Sequence, residues 1–301
     1  MDYTIKIGGE AGQGIQTIGD ALSKVFSRSG YYVFTNQDYE SRIRGGHNYY
    51  QIRFSDKPVM ASRDNVNIIF ALDNESMLLH EKELDRDGLI IYDSSVLQRK
   101  YEGNHFIDIP FARLAVEHGG NKIMENTVAT GAILGLLGME LDVLMEIIKK
   151  VFAKKGEGVI QANTNAARAG RDFCAKECPV SPFSVASMST PKMLIAGNDA
   201  LGLGVVASGC KFYSAYPMTP STGIMTYITG KAKEYGIVVE QAEDEIAAIN
   251  MALGASYAGV RAMTGSSGGG FALMVEGLSL AGIIEIPLVV ALGQRPGPAT
   301  G

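Results

Sequence analysis

Four carboxylates lie close together in the second half of the chain, where they could perform acid–base chemistry. Glu240, Glu243, Asp244 and Glu245 occupy four of six consecutive positions. Small residues then recur along a predicted helix and suit close packing: Ala248, Ala252, Gly254, Ala255, Ala258 and Gly259. A carboxyl buried at such a helix can hold and deliver a proton. An acidic helix start is also favoured by the helix dipole. The spacing alone leaves both interpretations open.

Hydroxyls and prolines recur in three other segments of the same half. In chain order they are Tyr216-Pro217-Met218-Thr219-Pro220-Ser221-Thr222, Thr264-Gly265-Ser266-Ser267-Gly268 and Gln294-Arg295-Pro296-Gly297-Pro298. In the first segment two prolines fix a turn and hydroxyls occupy the capping positions of a predicted helix. Helix capping alone can therefore explain that string.

Two glycine-rich segments, residues 8–14 and 197–204, are each predicted to link a strand to a helix. Glycines at such a turn let backbone amides approach an anion at the helix N-terminus. The first segment matches neither G-x-G-x-x-G nor a Walker A loop. A tight turn is the structural alternative for both, and from the residues alone we favour it for both.

Two arginines stand beside paired glycines after the second predicted strand. Arg42 and Arg44 precede Gly45, Gly46 and His47. Their guanidinium groups can fork onto phosphate oxygens. A solvated basic loop explains the same residues, and His47 by itself indicates no function.

The elements that must position these residues alternate between strands and helices. In the first half we predict a helix at 15–27 and strands at 3–7, 31–35, 49–54, 67–72 and 88–92. The β-rich runs and the helical run between the first two strands predict a βαβ pattern. Such alternation is typical of a mostly parallel sheet covered by helices on both faces.

A segment rich in proline and serine, residues 179–191, is typical of a linker. Beyond it we predict helices at 219–234 and 243–257, and strands at 193–196, 212–215, 237–240, 262–264 and 287–292. The sequence thus predicts two doubly wound α/β domains, at 1–178 and 192–301. Because the second stops just after a strand, we expect a fragment of a longer subunit.

Composition and charge narrow the class of partner. The 301 residues carry a formal net charge of -5, which argues against a nucleic-acid groove. The apolar runs are shorter than the roughly 20 residues that a transmembrane helix needs. The N-terminus lacks the features of a secretory signal, so we predict a cytoplasmic protein.

Three cysteines, Cys174, Cys178 and Cys210, make a disulfide framework improbable in this setting. Cys174 and Cys178 are four positions apart and can share one side of a helix, so they could form half of a metal site. We expect structural or incidental thiols, because free cysteine is commonly just buried.

The second half resembles the pyrimidine-binding domain of the 2-oxoacid:ferredoxin oxidoreductases. The family's Tyr-Pro-hydrophobic-Thr-Pro string is similar to residues 216–220, and its Glu-x-x-Ala segment is similar to residues 245–248. Two Gly/Ala pairs at 254–255 and 258–259 follow at family spacing. The segments that begin at Thr264 and Gln294 resemble the family's next two motifs, in the same order.

The first half resembles the gamma unit of the same family, through Gly12-Gln13-Gly14 and the Arg44-Gly45-Gly46 turn. Glu10 and Ala11 depart from the commoner, more glycine-rich form of that loop. The resemblance implies a fused gamma–alpha chain. It makes Gly12, Gly14 and Arg44 candidates for contact with coenzyme A, or places subunit docking in this half.

The resemblance also implies thiamine diphosphate as cofactor and a role for Glu245. A carboxyl hydrogen-bonded to ring nitrogen N1′ of the aminopyrimidine promotes the form that activates this cofactor, and a buried carboxyl suits that proton sharing. Glu245 takes this role by its place in the motif, and Glu240 is the reserve.

Further roles follow from the same resemblance. Thr219 would present its hydroxyl to the substrate or the reacting cofactor, and Arg295 would hold the 2-oxoacid carboxylate through two parallel hydrogen bonds. Tyr216, Pro217 and Ser266 would contribute to cofactor binding.

The resemblance places the remaining chemistry on a beta subunit. This chain has no Gly-Asp-Gly with a following Asn for Mg²⁺ and diphosphate, and no closely spaced cysteine set for a 4Fe-4S cluster. We therefore expect a heteromer, a dimer of heterodimers, that oxidatively decarboxylates a 2-oxoacid to acyl-CoA and reduces ferredoxin. The alternatives are an indolepyruvate-type relative, a thiamine enzyme with another electron acceptor, and a non-catalytic α/β binding or assembly module.

Overall fold

Strands and helices alternate along the chain, for which the computed structural model describes residues 1–38, 46–178, 181–183, 185, 188 and 190–295. The chain divides into two units, Met1–Leu194 and Ile195–Gly301. The described strands form two separate sheets, one in each unit. The predicted class, α/β with two sheets flanked by helices, is confirmed.

The first unit contains six described strands and seven α-helices. The strands are β1 (Asp2–Glu10), β2 (Tyr32–Asp38), β3 (His47–Ser55), β4 (Val66–Ala71), β5 (Leu84–Tyr92) and β6 (Phe106–Asp108). The helices are α1 (Ile15–Arg28), α2 (Asn74–His80), α3 (Ser94–Leu97), α4 (Phe111–Gly119), α5 (Glu125–Leu136), α6 (Asp142–Phe152) and α7 (Glu157–Glu177). The sequence predicted five of these strands and missed β6, which is only three residues long.

The first sheet has the strand order β2-β3-β1-β4-β5-β6. Strands β1, β4, β5 and β6 pair in parallel, whereas β3 is antiparallel to both β1 and β2. Neighbouring parallel strands need a crossover of about a dozen residues or more. The connection between Asp38 and His47 is shorter than that, so β3 returns beside β2 in the opposite direction.

Helices cover both faces of this sheet. Along β4, Ile68 and Phe70 face the core that α1, α4 and α5 share, whereas Ile69 packs in a second cluster with Met77 of α2. The ring of Phe26 in α1 stacks on Phe54 with centroids 4.0 Å apart. Because successive side chains of a strand point to opposite faces and both faces are covered, the parallel strands are apolar at nearly every position.

Helices α5 and α7 pack against each other through glycines. A Cβ on Gly131 would overlap the carbonyl oxygen of Ala167, and a Cβ on Gly170 would overlap that of Val128. The two backbones therefore approach as closely as they do only because both positions lack a side chain.

The proline- and serine-rich segment packs on the first unit through several of its described residues. Phe183 is buried, and its ring lies 5.3 Å from that of Tyr3 in an edge-on contact. Val185 and Met188 also pack against the core of the first unit. The N–H of Lys192, just after the segment, donates to the carbonyl of Ser27 at 2.7 Å. The boundary between the units accordingly falls just beyond this segment, after Leu194.

The second unit has four described strands and five α-helices. The strands are β7 (Phe212–Ala215), β8 (Val238–Gln241), β9 (Ala262–Ser266) and β10 (Val289–Leu292). The helices are α8 (Gly197–Ala207), α9 (Thr222–Tyr235), α10 (Glu245–Tyr257), α11 (Gly268–Leu273) and α12 (Val275–Ile283). The strands lie in the order β10-β9-β7-β8, and every pair is parallel. Among the described helices, none has the length and apolarity that a bilayer crossing needs.

Two local predictions for the start of this unit were wrong. Residues 193–196 do not form a strand, although their composition is β-rich, and they pair with no described strand. The predicted glycine turn at 197–204 lies inside α8. There a Cβ on Gly202 would meet the ring of Tyr227 at 2.5 Å, so this glycine serves the packing of α8 on α9 and not a strand-to-helix turn.

Substituting Gly170 tests the contact between α5 and α7. Gly170→Ala should lower the free energy of unfolding by roughly 1–3 kcal/mol, because the added methyl overpacks a close backbone contact. Gly158→Ala in the same helix is the matched control, since a Cβ there has no neighbour within 4 Å. That control should be neutral or slightly stabilising in urea titrations of the full chain. Equal midpoints for the two variants would contradict the packing described.

Candidate functional site

The four strands of the second unit all end at one edge of the sheet. The segment from Tyr216 to Ser221 follows β7, α10 starts shortly after β8, Ser266 ends β9, and Arg295 follows β10. From β7 the chain crosses first to β8 on one side and then back to β9 on the other. Such a switch point at the carboxyl ends of parallel strands is where α/β folds bind ligands.

Glu245 is the carboxylate that the fold buries at this edge. Its side chain is only 4% exposed, whereas Glu240, Glu243 and Asp244 are exposed. Asp244 is the N-cap of α10, and its Oδ1 accepts a hydrogen bond from the N–H of Ala247 at 2.7 Å. Because Asp244 satisfies the helix end, the Glu245 carboxylate remains available for another partner.

Glu245, Ser266 and Met218 converge at the edge. Ser266 Oγ lies 3.4 Å from Glu245 Oε1 and 3.7 Å from the sulfur of Met218. A Cβ on Gly270 would overlap both Ser266 Oγ and the Glu245 carboxylate, so α11 can lie against them only with glycine there. The sequence analysis did not single out Gly270, although the glycine run at 268–270 was a signal for it.

The turn after β7 is held by hydrogen bonds from both sides. Within the turn, Ser221 Oγ donates to the carbonyl of Met218 at 2.8 Å, and the Thr219–Pro220 bond is cis. From α8, Asn198 Nδ2 donates to the carbonyl of Pro220 at 2.9 Å. No sequence pattern marked Asn198 as a positioning residue, since it acts on a turn 22 positions away.

The other predicted residues of this unit lie on the same edge. Tyr216 and Thr219 are exposed, and Pro217 and Arg295 are half-buried. The N–H of Gly293, two positions before Arg295, donates to the carbonyl of Ser266 at 3.0 Å. The chain therefore brings all of them to the carboxyl edge, and direct contacts join Glu245 with Ser266 and Ser266 with Met218.

A second candidate site lies in the first unit, at the turn between β1 and α1. Gly12 and Gly14 have φ of +98° and +88°, a conformation that glycine adopts without strain, and Gly14 precedes the first turn of α1. Its N-cap is Gly14, which has no side chain with which to cap the helix. Beside it is a depression of about 560 Å³ lined by both glycines, Thr17, Asp38 and Tyr49. Arg44, predicted to act here, lies outside the described residues.

A buried polar network stands near this turn. His80 Nδ1 lies 3.0 Å from Glu83 Oε1, and its Nε2 lies 2.8 Å from Nε2 of His47. Glu83 also pairs with Lys6, whose ammonium lies 4.4 Å from the centre of the Tyr49 ring. Since His80 Nδ1 donates to the carboxylate, its Nε2 accepts from His47 in the neutral form. His47 gave no signal in the sequence because its partner is 33 positions away.

The network shifts the pKa values of two of its members downwards. Burial lowers the pKa of His80, and the nearby charge of Lys6 adds to the effect against the opposing influence of Glu83. Burial acts to raise the pKa of Glu83, but hydrogen bonds from Lys6 and His80 still hold that pKa below its usual value. Neutral His80 and ionised Glu83 are thus the forms that fit the folded unit.

Among the described residues, no three His, Cys, Asp or Glu side chains lie close enough together to hold a metal ion.

Comparisons with known proteins cover the chain almost completely. Residues 4–173 match the sequence model of pyruvate ferredoxin/flavodoxin oxidoreductase, and residues 203–301 match that of the thiamine diphosphate-binding region of pyruvate flavodoxin/ferredoxin oxidoreductase. The alpha subunit of 2-oxoacid:ferredoxin oxidoreductase from Sulfolobus sp is 30% identical, over 98% of this chain and 54% of that protein. The 2-oxoglutarate oxidoreductase subunit KorA of Mycobacterium tuberculosis is 28% identical, over 100% of this chain and 52% of that protein.

A solved structure is also similar. The 2-oxoglutarate:ferredoxin oxidoreductase of Magnetococcus marinus, with 2-oxoglutarate, coenzyme A and succinyl-CoA bound, superposes with a TM-score of 0.91 at 35% identity. The match covers 100% of this chain and 53% of that chain. The chain thus spans about half the length of the relatives that it matches.

Acidification should weaken the fold through the His80 network. The pKa values of His80 and Glu83 both lie below those of the unfolded chain. The native state therefore binds fewer protons than the unfolded state, and its stability is lost as pH falls. For His80 the loss begins near its ordinary pKa of about 6.5 and continues below it. The thermal midpoint of the full chain should therefore fall between about pH 7.5 and pH 5.5.

The variants His80→Gln and His105→Gln separate this network from other titrating groups. His105 is 41% exposed and serves as the control. The pH dependence should flatten in His80→Gln and stay unchanged in His105→Gln. A wild-type slope in His80→Gln would mean that other groups cause the loss of stability.

Proposed function

Because the chain belongs to the pyruvate ferredoxin/flavodoxin oxidoreductase family, we propose that it is the fused gamma–alpha part of a thiamine diphosphate-dependent 2-oxoacid:ferredoxin oxidoreductase. The complete enzyme would convert a 2-oxoacid and coenzyme A to acyl-CoA and CO₂ while reducing ferredoxin. The observation that carries this proposal is the buried Glu245 carboxylate, next to Ser266 at the carboxyl edge of the second sheet.

The residues at this edge fit thiamine diphosphate. The pyrimidine of that cofactor requires a carboxyl shielded from water, and Glu245 is the buried one among the four acids of its segment. Gly270 lets the backbone of α11 lie directly against the carboxylate, where a Cβ would overlap it. When bound, the cofactor supplies the nucleophilic carbon and the electron sink that decarboxylation of a 2-oxoacid needs.

Glu245 would hold a proton at ring nitrogen N1′ of the aminopyrimidine. Ser266 orients the carboxylate through its hydroxyl, and α11 shields it from solvent by packing against it at Gly270. A carboxyl fixed in this way can exchange its proton without first reorganising, which favours acid–base catalysis. Glu240 is exposed and is the weaker candidate for this role.

Thr219 and Arg295 would act on the substrate. The hydrogen bonds at Ser221 and Asn198 hold the turn that carries Thr219, so its exposed hydroxyl stands at a fixed place on the edge. Arg295 follows β10 and can bind the 2-oxoacid carboxylate with two parallel hydrogen bonds. Tyr216 and Pro217 would form the adjoining wall of the cofactor site.

The first unit would form the gamma-type domain, residues 1–178, joined by 179–191 to the pyrimidine-binding domain at 192–301. The N-terminus of α1, which follows the glycine N-cap Gly14, and the positive φ of Gly12 and Gly14 suit a phosphate group of coenzyme A. The coenzyme A and succinyl-CoA bound by the Magnetococcus marinus relative support this ligand class. Arg44 would add the positive charge from the neighbouring segment.

A beta subunit would complete the enzyme. We assign to it the Mg²⁺ ion that binds the diphosphate and the 4Fe-4S cluster that passes electrons to ferredoxin. Three cysteines, of which Cys174 and Cys178 lie in one unit and Cys210 in the other, cannot hold such a cluster in this chain. We expect a cytoplasmic dimer of heterodimers.

Glu245→Gln tests the central assignment. It keeps the size of the side chain but removes the ionisable proton, so turnover of the assembled complex should fall about a hundredfold or more. The assay is anaerobic reduction of a viologen dye with coenzyme A and a panel of 2-oxoacids. Glu243→Gln, two positions earlier and exposed, should retain wild-type turnover.

Cofactor content separates a catalytic effect from a binding effect. Glu245→Gln should copurify with the beta subunit and keep thiamine diphosphate, measured after acid release. Near-normal turnover with the cofactor bound would show that another group activates it. If no 2-oxoacid supports dye reduction by the wild-type complex, the proposed activity itself is overturned.

Arg44→Ala tests the coenzyme A assignment independently. Removal of one charged phosphate contact should raise the apparent KM for coenzyme A about tenfold and leave that for the 2-oxoacid unchanged. Arg86→Ala, on an exposed position of β5, is the control for a lost positive charge. An unchanged KM for coenzyme A in Arg44→Ala would remove Arg44 from the site.

A further inference from the structure

Two thiols lie in contact at the C-terminal end of α7, and the proposed function uses neither. The sulfur atoms of Cys174 and Cys178 are 3.2 Å apart. The N–H of Cys178 still donates to the carbonyl of Cys174 at 3.2 Å, but Cys178 itself has the extended backbone (φ -82°, ψ 146°) that ends the helix. The pair therefore joins the last helical turn to the first residue beyond it.

The two thiols differ in access to solvent. Cys174 is 5% exposed and belongs to the core of the first unit, whereas Cys178 is half-buried at its margin. The hydrogen bond to Cys174 lowers the pKa of the Cys178 thiol, although partial burial opposes this change. The same contact, together with burial, raises the pKa of Cys174. A dissolved reagent therefore reaches Cys178 first. Cys178 is also the thiol that more readily forms the reactive thiolate.

A metal ion does not explain the pair. Zinc and iron–sulfur sites use three or more protein ligands, and the described residues supply no third Cys, His, Asp or Glu at this place. Two thiols in contact without further ligands suit exchange chemistry instead.

We propose that Cys174 and Cys178 form a thiol–disulfide exchange site whose substrates are low-molecular-weight disulfides such as oxidised glutathione. The Cys178 thiolate attacks one sulfur of the disulfide, forms a mixed disulfide, and releases the first thiolate. Cys174 then loses its proton to solvent and attacks the Cys178 sulfur, which releases the second thiolate. Two protein thiols are oxidised to one disulfide, and one small disulfide is reduced to two thiols.

The position in the helix predicts a disulfide that is easily reduced. Bond formation requires the sulfur atoms to approach by roughly 1 Å, because a disulfide is about 2.05 Å long. Rotation of the two side chains or a tightening of the last turn of α7 can supply this approach, and a helix end adjusts more easily than a helix interior. A disulfide at a half-exposed helix end is accessible to dissolved thiols, which fits a reversible modification better than a structural crosslink.

Mass spectrometry of the native 301-residue chain tests the proposal. The reduced chain is incubated with oxidised glutathione, the remaining thiols are alkylated, and the chain is digested with trypsin. Cleavage after Arg171, Lys176 and Lys192 places the two cysteines on separate peptides. A disulfide between them therefore appears as a pair of linked peptides that dithiothreitol separates again.

Single substitutions assign the steps. Wild type and Cys210→Ser, which alters the buried thiol of the other unit, should both give the linked pair. Cys174→Ser should stop at a glutathione adduct on Cys178. Cys178→Ser should slow the loss of the Cys174 thiol at least about tenfold, because its buried sulfur is protonated and shielded.

Three results would overturn the proposal. They are the absence of the linked pair while circular dichroism shows the native fold, its formation only in denaturant, and wild-type reactivity of Cys174 in Cys178→Ser. The readout is independent of catalytic turnover, so neither the Glu245 nor the Arg44 experiment affects it.

Discussion

Parallel pairing of the four strands in the second unit is the constraint on which its candidate site depends. Ser214 of β7 lies beside Thr264 of β9, and Leu292 of β10 lies beside Ser266. Because every strand points the same way, the segments that follow them meet at one edge. Reversing a single four-residue strand would move its following segment to the opposite edge, about 13 Å away at about 3.3 Å per residue.

Burial of Glu245 at this edge has a cost that the neighbouring groups offset. An isolated carboxylate in an apolar setting is unfavourable. Here the N-terminus of α10 provides a favourable dipole, and Ser266 provides a hydroxyl. Asp244 occupies the capping position, so the helix does not need Glu245 for its own termination. The buried carboxylate of Glu245 is therefore not used to cap the helix.

The first unit places its polar groups by a different arrangement. Its sheet is parallel except for β3, which returns next to β1 and brings His47 opposite Glu10 at the end where the glycine turn begins. The reversed strand also lets His47 contact His80 of α2. Through Glu83, the same network includes Lys6 of β1. At the turn itself the space beside Gly12 is open, whereas Gly14 lies against the side chain of Asn126.

The sequence by itself determined the features that depend on a few neighbouring residues. Proline, glycine and apolar spacing marked the turn at 216–220, the helix that carries Glu245 and most of the strands, because backbone preferences and periodicity are local. Tertiary structure decided which of four neighbouring acids is buried, since that depends on Ser266 and Gly270 more than twenty positions further on. It also decided the direction of β3, the irregular conformation of residues 193–196 and the helical place of Gly202. Strand pairing and side-chain packing join segments distant in the chain, and their energies override local propensity.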